Sequence, residues 1–238
     1  MVKFILSLAR HGESTFNQAK LVQGQTDSPL SGDGVLQAES LGHRLANEKI
    51  DYVYTSDLLR AAQTTELILQ SLRTPPLDVV KEVDFRERSF GDKEGIKISE
   101  YRSFLSSEGL TFRSHVPKGG ESFQEARQRV VKAFYDVCKK QVELEKNETT
   151  TTNDRLIHVL VVGHGLLFKE LLSYFIEELH VEIPGGKDRV MKDSANSNLS
   201  RFEVEYAPNV TPKMVCKFIY DYSHLPEDMQ KALPSKAY

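Results

Sequence analysis

Phe4-Ile5-Leu6-Ser7-Leu8, leading through Ala9 into Arg10-His11-Gly12-Glu13, is the stretch on which the reading of this chain turns. A short apolar run closed by a glycine has the length and composition of a buried strand. In open α/β sheets, ligands bind outside the carboxyl ends of the strands. A strand ending in Arg10-His11-Gly12 therefore delivers three useful groups to that edge. Arginine offers a planar fork that matches phosphate oxygens. Histidine offers a nitrogen that is largely neutral, and so nucleophilic, near pH 7. Glycine lets the backbone turn and come close to a ligand. The combination points to phosphoryl chemistry with histidine as the attacking group.

Working outward, apolar runs predict further strands at 52–54, 78–81, 156–162, 199–206 and 214–220. Helical spacing predicts helices over 31–49, 57–72, 122–146 and 166–179, with Ser31 as one cap and Ser122-x-x-Glu125 as a capping box. The run at 156–162 is almost continuously apolar, which places it in the sheet centre. This alternation predicts an α/β domain with a largely parallel sheet and helices on both faces. Residues 1–238 read as one domain, with an inserted cap at about 84–118, a polar loop at 147–154 and a loosely packed tail at 221–238.

Composition narrows the function classes. The chain has 238 residues, 39% hydrophobic and 27% charged, enough for a packed core. A net charge of −3 argues against a general nucleic-acid binder. Cys138 and Cys216 are the two cysteines and form no Cys-x-x-Cys pair, which argues against a thiolate zinc site. No run approaches the ~18 apolar residues of a membrane span, and the amino terminus lacks a signal-peptide pattern. A cytoplasmic protein is expected, and peripheral association with mitochondria, which needs no transit peptide, is left open.

A second histidine, in Gly163-His164-Gly165, directly follows the strongest strand run, as His11 follows the first. If both strands are central and parallel, both imidazoles emerge at one sheet edge. Arg60 falls in the first turn of a helix that follows another strand, where the helix dipole also favours an anion. Glu87 is a candidate general acid, which ester cleavage requires because an alkoxide leaves poorly without a proton. The plainer alternative for Glu87 is a surface ion pair with Arg86 or Arg88, and Glu82 and Glu94 are competing carboxylates.

At this point the residues carry a resemblance. Arg10-His11-Gly12-Glu13, Asn17, Gln23-Gly24, Asp27-x-Pro29-Leu30-Ser31, Ser56-Asp57-Leu58-x-Arg60-Ala61-x-Gln63-Thr64, Arg86-Glu87-x-x-x-Gly91-x-x-Glu94-Gly95, Gly119-Gly120-Glu121-Ser122 and Gly163-His164-Gly165 resemble, in order, the histidine phosphatase (phosphoglycerate mutase-like) superfamily. Residues 85–96 and 196–202 are most similar to its fructose-2,6-bisphosphatase-type glycolysis regulators. The resemblance implies a three-layer α/β/α fold with a mostly parallel sheet, and a phosphohistidine intermediate formed without metal or cofactor. It implies His11 as nucleophile, Arg10, Arg60 and His164 around the phosphoryl oxygens, and Glu87 as acid and then base. Asn17, Gln23, Gly24, Gly165 and Arg102 would bind substrate. Arg86, Arg88, Lys93, Lys97 and Lys118 join Arg102 as candidates for a second phosphate.

The segment after Gly95 is shorter than in cofactor-dependent mutases, and the chain has no Trp. A more open cap admits water, which turns a mutase scheme into a phosphatase. The expectation is a phosphomonoesterase acting on a small phosphorylated metabolite, fructose-2,6-bisphosphate or 2,3-bisphosphoglycerate, and lowering glycolytic flux. A mutase, a broad-specificity phosphatase, and a protein-binding regulator on the same fold are the alternatives. A monomer is favoured.

Overall fold

The computed structural model describes residues 1–147, 155–192 and 195–232. In chain order the elements are β1 (Val2–Arg10), α1 (Thr15–Gln18), α2 (Gly32–Leu45), β2 (Tyr52–Thr55), α3 (Leu59–Ser71), β3 (Asp78–Lys81), α4 (Ile98–Ser107), α5 (Phe123–Asn147), β4 (Ile157–Gly163), α6 (Gly165–Glu177), α7 (Gly186–Lys192), β5 (Leu199–Tyr206), β6 (Lys213–Asp221) and α8 (Glu227–Ala232). Two 3-10 turns, Val83–Phe85 and Gly91–Lys93, lie between β3 and α4.

The strands form one sheet in the order β3-β2-β4-β1-β5-β6. β1, β4, β2 and β3 are parallel, β5 is antiparallel to β1, and β6 is antiparallel to β5. β1 and β4 lie at the centre, and alternation divides their side chains between two cores. Phe4, Leu6, Leu8, Val159 and Val161 pack with Val130, Phe134 and Val137 of α5 and Leu167, Leu171 and Phe175 of α6. Ala9, Leu160 and Val162 pack on the other face with Leu41 and Leu45 of α2 and Ala61 and Ile68 of α3. Each fully buried Leu, Val or Phe contributes about 1.5–3 kcal/mol. The result is the three-layer α/β/α sandwich expected.

Several expectations are refined. α2 stops at Leu45 rather than 49, because Ala46 N and Glu48 N close tight turns on His43 O and Leu45 O that bring Ile50 into the core. α1 is a single turn held by a Ser14–Asn17 capping box, too short to show as a hydrophobic period. α7, of seven residues, begins at Gly186, which like Gly185 before it has a positive φ.

Within 84–118, Phe90, Tyr101 and Leu105 build a separate apolar cluster with Val22. The tail is packed rather than loose over its first residues: Leu225 is buried, and His224 Nε2 lies 2.9 Å from Ser197 O. The polar loop expected at 147–154 lies, beyond Asn147, outside the described residues. Among the described residues no helix is long and apolar enough to cross a membrane.

Candidate active site

In the β1–β4 ladder Arg10 pairs with Gly163, so His11 and His164 leave the sheet side by side one residue later. Their ring centroids are 5.1 Å apart. His11 N donates to Gly163 O, and His11 O accepts from Ser197 N and from Asn196 Nδ2, so the His11 backbone is tied on both sides. Gly12 permits the turn: a Cβ there would fall 2.4 Å from Gly34 O. Gly12 N in turn donates to the buried Thr64 Oγ1.

His11 Nδ1 lies 2.6 Å from Gly12 O, which can only accept, so Nδ1 carries the proton. In the neutral ring, Nε2 is then left with its lone pair. Burial pushes the His11 imidazole well below its usual range, and Arg60 and Arg10 push it further, against the Gly12 carbonyl. His164 is lowered for the same reasons: burial first, then Arg60, His11, Arg10 and Arg129. Both rings are held neutral inside a cationic pocket.

Arg60 enters from the first turn of α3, whose amino end is capped from a distance by Asp27 Oδ1, 2.8 Å from Leu59 N. Its guanidinium is almost wholly buried and donates to Thr26 O at 3.1 Å and Gly24 O at 2.7 Å. Burial brings it down to about 10. Arg60 Nε and His164 Nδ1 are buried without a hydrogen-bond partner among the described residues. An unmade buried hydrogen bond costs about 1–3 kcal/mol, so these nitrogens favour a ligand that brings oxygens.

Glu87 is buried at the amino end of α6 and forms no ion pair with Arg86 or Arg88. Its Oε1 accepts from Arg88 N and Leu167 N, and Oε2 from Leu166 N. The helix contributes two N–H groups that α6 itself leaves unpaired. A carboxylate has about four acceptor positions. Three are taken, and the remaining one is on Oε2.

The competing carboxylate Glu94 is structural: its oxygens take Gln25 N, Thr26 N, Thr26 Oγ1 and Phe90 N. It thereby holds the loop that supplies Gly24 O and Thr26 O to Arg60.

The remaining expected residues divide. Asn17 Oδ1 and Gln23 Oε1 lie 3.1 and 2.7 Å from Ser14 Oγ, which joins them in one polar cluster; Asn196 Nδ2 reaches Asn17 Oδ1 at 3.4 Å. Gly24 holds Arg60, and Gly165 opens α6 beside the Glu87 contacts. Arg102 is exposed on α4.

Of the cations considered for a second phosphate, Arg86 is committed to Asp57 by two bonds, of 2.7 and 2.6 Å. Arg88, a candidate for a second phosphate, is instead fully buried, its guanidinium 4.6 Å from the Phe90 ring and 4.3 Å from the Phe123 ring. Lys97 Nζ donates to Ala19 O, Lys93 Nζ lies over the Phe104 ring, and Lys118 is exposed.

Sequence reading passed over three contributors. Ser56 Oγ lies 2.9 Å from His164 Nε2. Lys169 is buried on α6, donates to Met191 O, and is lowered to about 8 by burial and by Arg10, against Glu87. Arg129 of α5 reaches the Glu87 backbone. Ser56 was marked by its place directly before Asp57-Leu58-x-Arg60; the other two carry no local signal. No group of three or more His, Cys, Asp or Glu is gathered to hold a metal among the described residues.

Comparison with known proteins agrees with this geometry. A fructose-2,6-bisphosphatase TIGAR from Xenopus tropicalis is 31% identical, spanning 94% of this chain and 96% of its own. A metal-independent phosphoserine phosphatase from Arabidopsis thaliana is 34% identical over 66% of this chain and 63% of its own. The crystal structure of a phosphoglycerate mutase from Bacillus anthracis has the same fold, with a TM-score of 0.72 at 24% identity over 94% of this chain and 95% of that one. Residues 6–204 match the family model of the histidine phosphatase superfamily (branch 1). The chain belongs to branch 1 of that superfamily and is an enzyme of the phosphatase type.

Proposed function

We propose that the chain hydrolyses small bisphosphorylated metabolites, fructose-2,6-bisphosphate or 2,3-bisphosphoglycerate, through a phosphohistidine at His11, and so lowers glycolytic flux. The observation that carries the chemistry is the state of His11: buried, neutral, with Nδ1 protonated on Gly12 O and Nε2 free to attack. The substrate class is supported by the near full-length similarity to a fructose-2,6-bisphosphatase TIGAR.

The lone pair of His11 Nε2 forms a bond to phosphorus as the ester P–O bond breaks in line. Arg10, Arg60 and His164 stabilise the charge on the equatorial oxygens. Protonated Glu87 gives its proton to the departing oxygen. As carboxylate it then takes a proton from water, whose oxygen attacks phosphorus while the P–N bond breaks. Neutral His11 and inorganic phosphate result, and Glu87 has its proton back.

The test is phosphate release from fructose-2,6-bisphosphate, 2,3-bisphosphoglycerate, phosphoserine and p-nitrophenyl phosphate, with EDTA present, by wild type and His11→Ala. Turnover of a bisphosphate that survives EDTA and vanishes in the variant is the expected result. Activity unchanged in His11→Ala would overturn the histidine mechanism. A preference for phosphoserine would move the substrate toward that of the Arabidopsis relative.

A further inference from the structure

Glu87 sits on irregular backbone just beyond the 3-10 turn Val83–Phe85, with no strand ladder to fix it. Its three N–H contacts aim the carboxylate only if that backbone is itself held. The holder is Arg129, which reaches across from α5. Its Nη1 donates to Asp84 O at 2.9 Å and Arg86 O at 2.8 Å, and its Nη2 to Glu87 O at 3.2 Å. The other two donors go to Glu121: Nε to Oε1 and Nη2 to Oε2, both at 2.8 Å. All five N–H donors of a guanidinium are thereby used.

Glu121 Oε2 also accepts from Ser89 N at 2.9 Å, so the pair grips the chain on both sides of Glu87. The Gly119-Gly120-Glu121 segment makes this approach possible, since a Cβ on Gly120 would fall 2.8 Å from Ser89 O.

We propose that Arg129, oriented by Glu121, is a positioning residue that holds the Glu87 carboxyl where it exchanges protons with the substrate. The proposal rests on the reading of Glu87 as acid and base. Lysine at 129 keeps the charge near His164 but has no planar fork, so it cannot span three carbonyls and a carboxylate. Arg129→Lys therefore separates geometry from charge.

A residue acting through the general acid affects substrates according to how badly their leaving group needs a proton. The experiment is kcat/KM, which covers the steps up to ester cleavage, for p-nitrophenyl phosphate and for an alkyl phosphate monoester. It uses wild type, Glu87→Gln, Arg129→Lys and Glu121→Gln, each checked for folding by thermal melting. Glu87→Gln is expected to lose about 100-fold more on the alkyl ester than on the aryl ester. Arg129→Lys and Glu121→Gln are expected to lose in the same direction, about tenfold.

Equal losses on both esters in folded Arg129→Lys and Glu121→Gln, beside a selective loss in Glu87→Gln, would overturn the positioning role alone. No selectivity in Glu87→Gln would overturn the acid assignment, and the proposal with it. If Arg129→Lys does not fold, Glu121→Gln decides by the same ratio, because it keeps the contacts of Arg129 to the three carbonyls and weakens the orientation of Arg129 together with the Ser89 N contact, the two holds that the proposal assigns to the pair.

Discussion

His11 and His164 face each other with ring planes inclined at 55° and centroids 5.1 Å apart, enclosed between cations. Burial, Arg60 and Arg10 all oppose an imidazolium in His11, and burial, Arg60 and Arg10 do so in His164. The two rings titrate as a pair, and Arg60 acts on both with the same sign. Arg60→Gln removes one of the repulsions, so protonation begins at higher pH. The acid limb of the kcat/KM profile should therefore lie well below pH 6.5 in wild type and move toward neutrality in the variant. The maximum should also fall, by about 100-fold, with the lost phosphate contact. A limb that stays put or moves to lower pH would refute the electrostatic account.

Ser56 sets the second ring. Its hydroxyl accepts from Leu58 N at 3.3 Å, which leaves its proton available to His164 Nε2 at 2.9 Å. With Ser56 donating to Nε2, Nδ1 bears the single proton of the neutral ring and is a donor with no partner among the described residues. Ser56→Ala frees the ring to adopt either tautomer. Turnover should fall about tenfold, roughly one charge-assisted hydrogen bond, while the variant stays folded because Ser56 N still bonds Val162 O. Full activity in Ser56→Ala would show that the tautomer is set elsewhere.

The two strand-end histidines were legible because the chain marks them twice, with an apolar run and then a glycine-flanked imidazole. A parallel ladder needed only the right register, Arg10 against Gly163, to bring them together. Glu87 was legible as a residue type but not as a site. What buries it is the amino end of α6, 79 positions away in sequence at Leu166, and no local pattern records that contact. The cations of 86–118 misled for the reverse reason. Arg88 looks like a phosphate ligand in one dimension, yet three-dimensional packing places it against two phenylalanines. Arg129 is one of several polar residues on a long amphipathic helix, and its importance lies wholly in the carbonyls it meets.

Gly24 shows how a backbone constraint reaches the chemistry. It has a φ of +54°, and a Cβ there would fall 2.1 Å from Glu94 Oε1 and 2.9 Å from Phe90 N. Gly24→Ala is strained by conformation and blocked by the carboxylate that holds the loop. It should cost about 1–3 kcal/mol in stability. It should also shift Gly24 O away from Arg60 Nη2, so the affinity for inorganic phosphate as inhibitor should drop several-fold. A variant with wild-type melting temperature and phosphate inhibition would mean the loop absorbs the methyl group.

The last prediction concerns a second buried histidine network, at Ser7, His158 and Glu48. Ser7 Oγ accepts from Arg201 Nε and lies 2.9 Å from His158 Nε2, which accepts its proton when the single ring proton sits on Nδ1 toward the Glu48 carboxylate. His158 Nδ1 faces Glu48, which Arg201 also holds. Ser7 is fully buried, so this serine–histidine–glutamate series meets no substrate and is a structural one.

Burial, with Arg201 beside it, lowers His158 from 6.5 to about 3. The unfolded chain takes up a proton near 6.5 that the folded chain refuses until about 3. Stability from this group is therefore complete above pH 6.5 and drains away as the pH falls toward 3. The slope is about 1.4 kcal/mol per pH unit. His158→Gln can still accept from Ser7 and has nothing to protonate. It should be less stable than wild type at pH 7.5 but lose stability more slowly on acidification, so the two urea-unfolding curves converge between pH 6 and pH 4.5. Parallel loss in the two proteins would place the acid sensitivity in other groups, with Asp51 and its partner Arg155 the next pair to test.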